Sequence, residues 1–117
     1  MSTPDAESPM QLVVAVVQDE DAGLAVDALT TAGFRVTRIS TVGGFLRKGN
    51  ATLMIATEPS EVKRALLLIR DNCERRSEFF VPTAPGEVGE PYPLDPIPVQ
   101  VGGATVFVLD IERYERL

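Results

Sequence analysis

The sequence predicts an α+β fold, a ferredoxin-like βαββαβ sandwich with an extra C-terminal hairpin. Three observations predict it. The stretch between Met10 and Val81 runs twice through one outline: strand, acidic or proline cap, helix, strand. The first strand, LVVAVVQ, is almost continuously apolar and β-branched, as a strand covered on both faces must be. Near the end, VQV and ATVFVLDI flank Gly102-Gly103, which reads as a hairpin with a tight turn. With 117 residues the chain predicts one domain over residues 10–117, after a polar, disordered extension over residues 1–9.

Each element has its own reason. Leu12–Gln18 is the first strand. Asp19, Glu20 and Asp21 then supply an N-cap and first-turn acids for a helix. Leu24, Ala25, Ala28, Leu29 and Ala32 recur at helical spacing, and Gly33 suits the position after the helix end. Phe34–Thr41 reads as the second strand; alternation sets Arg35 and Thr37 on one side and Phe34 and Val36 on the other. Ala51–Thr57 is the third strand. Pro59 opens a second helix whose stripe is Val62, Ala65, Leu66, Ile69 and Cys73. Arg76–Val81 is a fourth, short strand. Six prolines and two glycines from Pro82 to Pro98 predict a long surface loop. The last residues, ERYERL, read as a helical turn or tail. A two-layer domain leaves one sheet face bare, and faces rich in Val, Phe and Ile predict a homo-oligomer.

Composition excludes several classes. The net charge of −6 disfavours a general nucleic-acid or membrane-surface binder. There is no histidine, so the commonest general base and metal ligand are missing. Cys73 is the single cysteine, so no intrachain disulfide and no Cys-based zinc site is expected. MSTPDAESP lacks a basic leader region and Leu12–Val17 is too short for a membrane span, which predicts a cytoplasmic protein. The carboxylates lie mainly at helix starts or in the Pro-rich segment, so no catalytic residues are assigned.

The stretch RISTVGGFLRKGN, Arg38 to Asn50, stands apart. Arg35, Arg38, Arg47 and Lys48 fall where no Asp or Glu occurs between Asp27 and Glu58. Its GGFLRKGN is neither a Walker loop nor GxGxxG. Its contents nonetheless suit a nucleotide: glycines for close backbone approach, Arg47 for phosphate, Phe45 for stacking, Asn50 for a base edge. Spacing alone leaves two readings open, a turn with a packed Phe and a ligand cradle.

VVQDED, GFRVTRISTVGGFLRKGNATL and VGGATVFVLDIERY together resemble the PII-like cyclic di-AMP receptor proteins of bacteria (the DarA/PstA type), from about Met10 to Leu117. The resemblance implies a PII-like homotrimer that binds the second messenger cyclic di-AMP in clefts between subunits. It implies no enzyme activity, no cofactor, and signalling through loop rearrangement to a downstream protein target that is unknown. No nucleic acid or membrane partner is expected. Arg35 and Thr37 match the second-strand Arg and Thr of the family. Gly44, Phe45 and Leu46 match its Gly-Phe-Leu, which implies an adenine held by backbone hydrogen bonds and the two side chains. Arg47 and Asn50 match the loop Arg and Asn, while Gly103 and Phe107 match residues that approach from the neighbouring side. Gly33 and Arg116 depart from the pattern, standing where some members carry a polar residue and Gln. The Pro82–Pro98 segment is the least family-like part. The alternatives are a PII-like sensor of a mononucleotide such as ATP and a ligand-free trimeric protein-interaction module.

Overall fold

The computed structural model describes residues 10–40, 49–81, 83–85 and 91–117. Its elements follow as β1 (Met10–Gln18), α1 (Asp19–Thr31), β2 (Thr37–Ser40), β3 (Asn50–Thr57) and α2 (Pro59–Asn72). Then come β4 (Arg76–Phe80), β5 (Thr83–Pro85), β6 (Pro91–Pro93), β7 (Ile97–Val101) and β8 (Ala104–Ile111). The result is a mixed α+β, βαββαβ-like arrangement with extra strands between α2 and β8. The predicted extension over residues 1–9 lies outside the described residues.

The main sheet has the order β2-β3-β1-β8, with every neighbouring pair antiparallel. β1 sits inside it, and its alternating side chains divide the molecule. Val13, Ala15 and Val17 point to the helices and are buried with Ala51, Leu53 and Ile55 of β3. Both helices pack on that face, α1 against β1 and β3 and α2 against β1 and α1. Ala65 and Ile69 of α2 and Cys73 at its C-cap complete the core with Val62 and Leu66, the predicted stripe. Burial of each Leu, Ile or Val here contributes about 1.5–3 kcal/mol relative to exposure.

Both helix ends follow local rules. α1 closes with Gly33 at φ 96°; Gly33 N–H donates to Thr30 O and Phe34 N–H donates to Leu29 O. This paired capping needs a left-handed residue, and glycine takes that conformation without a Cβ clash. Phe34 is thereby turned into the core. Arg64 of α2 donates to Ala32 O at 3.0 Å and stands 4.6 Å over the Phe34 ring, tying the second helix to the end of the first. Pro59 occupies the first turn of α2, where its missing N–H costs no helical bond.

Five expectations need correction. The N-cap of α1 is Gln18, and all three acids fall inside the first turn. Leu24 is 64% exposed, because the buried face of α1 runs through Ala22, Ala25 and Leu29, and Leu24 projects away from it. The second strand is shorter than Phe34–Thr41: Phe34 to Val36 still cross over from α1, though their burial alternates as expected. The Pro-rich segment contains a short antiparallel pair, β5 with β6, because Pro85, Pro91 and Pro93 sit where an isolated ribbon tolerates missing donors. Finally, β7 and β8 do not form a hairpin: β7 pairs with β4, and β8 pairs with β1.

The physical reason for the last correction is partner length. β8 aligns with β1 from Met10↔Ile111 to Val17↔Ala104, a longer ladder than β7 could offer from Ile97 to Val101. Gly102 and Gly103, both at φ 80°, turn the chain between the two sheets, and Gly103 N–H donates to Cys73 O at 2.6 Å. The tail after Ile111 is exposed and carries no regular structure.

Two outcomes follow from this packing. A Cβ at position 102 would overlap the Glu74 carbonyl oxygen, whereas at position 103 it would meet only Arg75 side-chain atoms at ordinary contact distance. Both substitutions carry the left-handed penalty of roughly 1–2 kcal/mol. Thermal unfolding should therefore show Gly102→Ala destabilised well beyond Gly103→Ala; equal melting temperatures would contradict this junction. Desolvation, aided by the Asp21 charge, pushes the Cys73 thiol up from 9.0 to about 11. The unfolded thiol ionises first, so this group's contribution to stability is whole below pH 9.0 and is lost as pH rises toward about 11. Thiol labelling at about pH 8 should proceed only on unfolding.

Candidate functional site

The end of the main sheet that carries the last residue of β1 and the first residues of β3 and β8 forms a polar recess. Gln18 is paired across to Asn50, while Val17 lies beside Ala104 and Val16 beside Thr105. Asp19 N–H donates to Gly49 O at 3.0 Å, which holds the start of α1 against the entry to β3. A cavity of about 280 Å³ opens there, lined by Gln18, Asn50, Arg75, Gly102, Gly103 and Thr105. Both chain ends of the Gly-rich stretch, Ser40 and Gly49, also lie at this end of the sheet, since Ser40 pairs with Ala51.

The cations around this end have different fates. Arg38 donates to Asp19 Oδ1 at 2.8 Å and to Ser40 Oγ at 3.0 Å. Hydrogen bonds from Arg38 and then Ser40 hold the Asp19 carboxyl below its ordinary range. Arg38 thus anchors β2 to the start of α1. Arg76 bridges Asp21 and Glu20 at 3.0 and 3.1 Å and reaches Glu78 at 3.4 Å, fixing the base of β4 to the first turn of α1. Arg75 has no ion pair among the described residues. Its Nε lies 3.5 Å from where a Cβ of residue 103 would stand, so the guanidinium lies along the glycine backbone at the cavity wall. Among the described residues lining this cavity, it is the cation available for an anionic ligand group.

A second, larger and mainly apolar groove of about 610 Å³ runs between α2 and β8, lined by Leu66, Ile69, Arg70, Cys73, Arg75 and Val106. It meets the polar cavity at Arg75, Gly103 and Ala104. Cys73 offers no nucleophile here, because it is buried and its thiol stays protonated. Among the described residues no group of three or more His, Cys, Asp or Glu could hold a metal ion. No helix among them is long and apolar enough to cross a membrane.

The structure brings together two of the residues singled out from the sequence, Asn50 and Gly103, in one cavity. Thr37 and Phe107 lie elsewhere. They belong to one row across the open sheet face, Thr37–Met54–Val14–Phe107, but stand on the two edge strands. Three strand spacings separate them, roughly 14 Å. Arg35 is exposed in the segment leading into β2. Gly44, Phe45, Leu46 and Arg47 lie outside the described residues. Gln18, Arg75 and Thr105 were not read from the sequence as site residues. Gln18 is the polar residue that ends the apolar run Leu12–Val17, and that break in pattern was the available signal. Arg75 was hidden in the run Glu74-Arg75-Arg76, which by composition is indistinguishable from a solvated face.

Comparison with known proteins agrees with this organisation. A crystal structure described as that of a functionally unknown protein from Pediococcus pentosaceus ATCC 25745 superposes with a TM-score of 0.69 at 39% sequence identity. The match covers 93% of this chain and 98% of that one. The profile of the family described as "Cyclic-di-AMP receptor" matches residues 10–117, nearly the whole sequence. By that match the chain belongs to the cyclic-di-AMP receptor family.

Proposed function

We propose that this protein is a bacterial, cytoplasmic PII-like signal-transduction protein that binds cyclic di-AMP in clefts between the subunits of a ferredoxin-like homotrimer. Family membership over residues 10–117 carries the reading. The polar cavity supports it. Arg75 offers a cation to a phosphate, Asn50 an amide to a base edge, and Gly102-Gly103 a backbone without side chains in the way. The chemistry is binding rather than catalysis.

The trimer is supported by the sheet face that the helices leave uncovered. Leu12, Val14, Val16 and Met54 are only half-buried there, and Ile39, Phe107 and Leu109 are exposed on the flanking strands. Phe107 is 55% exposed on that face, so a neighbouring copy gains apolar burial by covering it. An assembly would also let Thr37 and Phe107 of different copies meet in one site, although they stand on opposite edges of one protomer. Each cleft would draw Arg35, Thr37, Gly44, Phe45, Leu46, Arg47 and Asn50 from one subunit and Gly103 and Phe107 from its neighbour.

Output would pass through the β4–β7 ribbon. Arg75 directly precedes β4 and Gly102 directly follows β7, so a ligand in the cavity would contact the residues adjoining both strands. The ribbon displays Phe79, 77% exposed, together with Val81, Leu94 and Ile97 beside it, a surface suited to a downstream protein.

Isothermal titration of the intact protein with cyclic di-AMP tests the reading, with ATP and cyclic di-GMP as competitors. Saturating binding of cyclic di-AMP with weak competition is expected, along with a light-scattering mass of three chains. Absence of both heat and a thermal shift would sink it. At a ligand concentration a hundredfold above Kd, linkage predicts about 2.7 kcal/mol of added stability. Within the site, Phe45→Ala should weaken binding by about 1–3 kcal/mol if the ring stacks on a base. Arg75→Gln should weaken binding and flatten its dependence on salt concentration; an unchanged salt slope would remove Arg75 from the phosphate contacts.

A further inference from the structure

Gln18 is the last residue of β1 and the residue immediately before α1. Ser, Thr, Asp or Asn at such a position normally accepts a backbone N–H of the first helical turn. The Gln18 side chain makes no such bond. Its Oε1 is nevertheless buried, without a hydrogen-bond partner among the described residues. Native proteins rarely leave a buried acceptor unsatisfied, and where they do a functional partner is a common reason. Here Gln18 lines the polar cavity together with Asn50, Gly103, Thr105 and Arg75. The register places it beside Asn50 on the open-face side of the sheet, at the end where Ser40 and Gly49 bound the Gly-rich stretch.

We infer that Gln18 is a specificity-determining residue of the nucleotide site, whose amide oxygen accepts a hydrogen bond from a neutral donor on the ligand. The inference rests on the reading of this cavity as part of the cyclic di-AMP site. Cyclic di-AMP carries just two kinds of neutral donor, the exocyclic amine of adenine and the ribose 2′-hydroxyl; its ring nitrogens and phosphates accept. A site with a buried acceptor rejects an analogue lacking the matching donor, because the acceptor is then left unpaired and dry. Gln18 and Arg75 have separate roles: the first is neutral and reads a donor, the second is cationic and meets an anion.

The test uses calorimetry on the full chain with three ligands: cyclic di-AMP, its analogue with purine in place of adenine, and cyclic di-dAMP, which lacks the 2′-hydroxyl. Each is titrated into wild type and into Gln18→Met, which preserves length and removes the acceptor. Gln18→Ala replaces it should circular dichroism show Gln18→Met unfolded. In wild type, one of the two analogues should bind about tenfold more weakly than cyclic di-AMP. The variant should bind cyclic di-AMP about tenfold more weakly, with little further loss for that same analogue, since the pair is already broken. Loss with the purine analogue identifies the amine as the donor; loss with cyclic di-dAMP identifies the hydroxyl. If wild type is indifferent to both changes, or if the analogue's loss is equally large in the variant, the role of Gln18 is overturned while the receptor reading stands. If wild type fails to bind cyclic di-AMP, both fall together.

Discussion

The organisation of this protein depends on the pairing of β1 on both its edges. β1 meets β3 from Gln11↔Thr57 to Gln18↔Asn50 and meets β8 from Met10↔Ile111 to Val17↔Ala104. Side chains alternate across a strand, so a slip of one residue in either ladder would send Val13, Ala15 and Val17 to the open face. That would empty the core beneath both helices. The same register places Gln18, Asn50 and Thr105 together at one end of the sheet. Core and candidate site are thus two consequences of one alignment.

The second determinant is the junction between body and ribbon. Gly102 and Gly103 turn the chain in a left-handed conformation, against the carbonyls of Cys73 and Glu74 at the end of α2. Arg76 holds the other strand of the ribbon to Asp21, a carboxylate only 7% exposed. The acids of the first turn of α1 therefore serve twice. They complement the positive end of the helix dipole, and they receive Arg38 from β2 and Arg76 from β4. This explains why two of the chain's basic residues near the site offset protein charge rather than face the cavity, leaving Arg75 exposed to it.

Much of the architecture was legible from residues alone. The continuous apolar run of β1, the Pro59 start of α2, its buried stripe and the Gly33 end of α1 are all local patterns, and local patterns survive into the fold. Leu24 was misread because α1 has apolar residues on more than one face, and only the packed neighbours select which face is buried. The Gly102-Gly103 hairpin was misread for a related reason. Two positive-φ glycines satisfy a tight turn equally well whether the flanking strands pair with each other or part into separate sheets.

The sequence by itself determined the class of the fold, the Gly33 end of α1, the Pro59 start of α2, the bare sheet face and, through its motifs, the family. Each of these follows from neighbours close along the chain or from a motif read as a string. Tertiary structure alone decided that β8 joins β1 while β7 joins β4, and that Gln18, Asn50, Arg75 and Gly103 line one cavity. Those residues are far apart in sequence, and no periodicity links them. What unites them is long-range strand register and the turn of the chain at the two glycines, which release β8 to the longer ladder offered by β1.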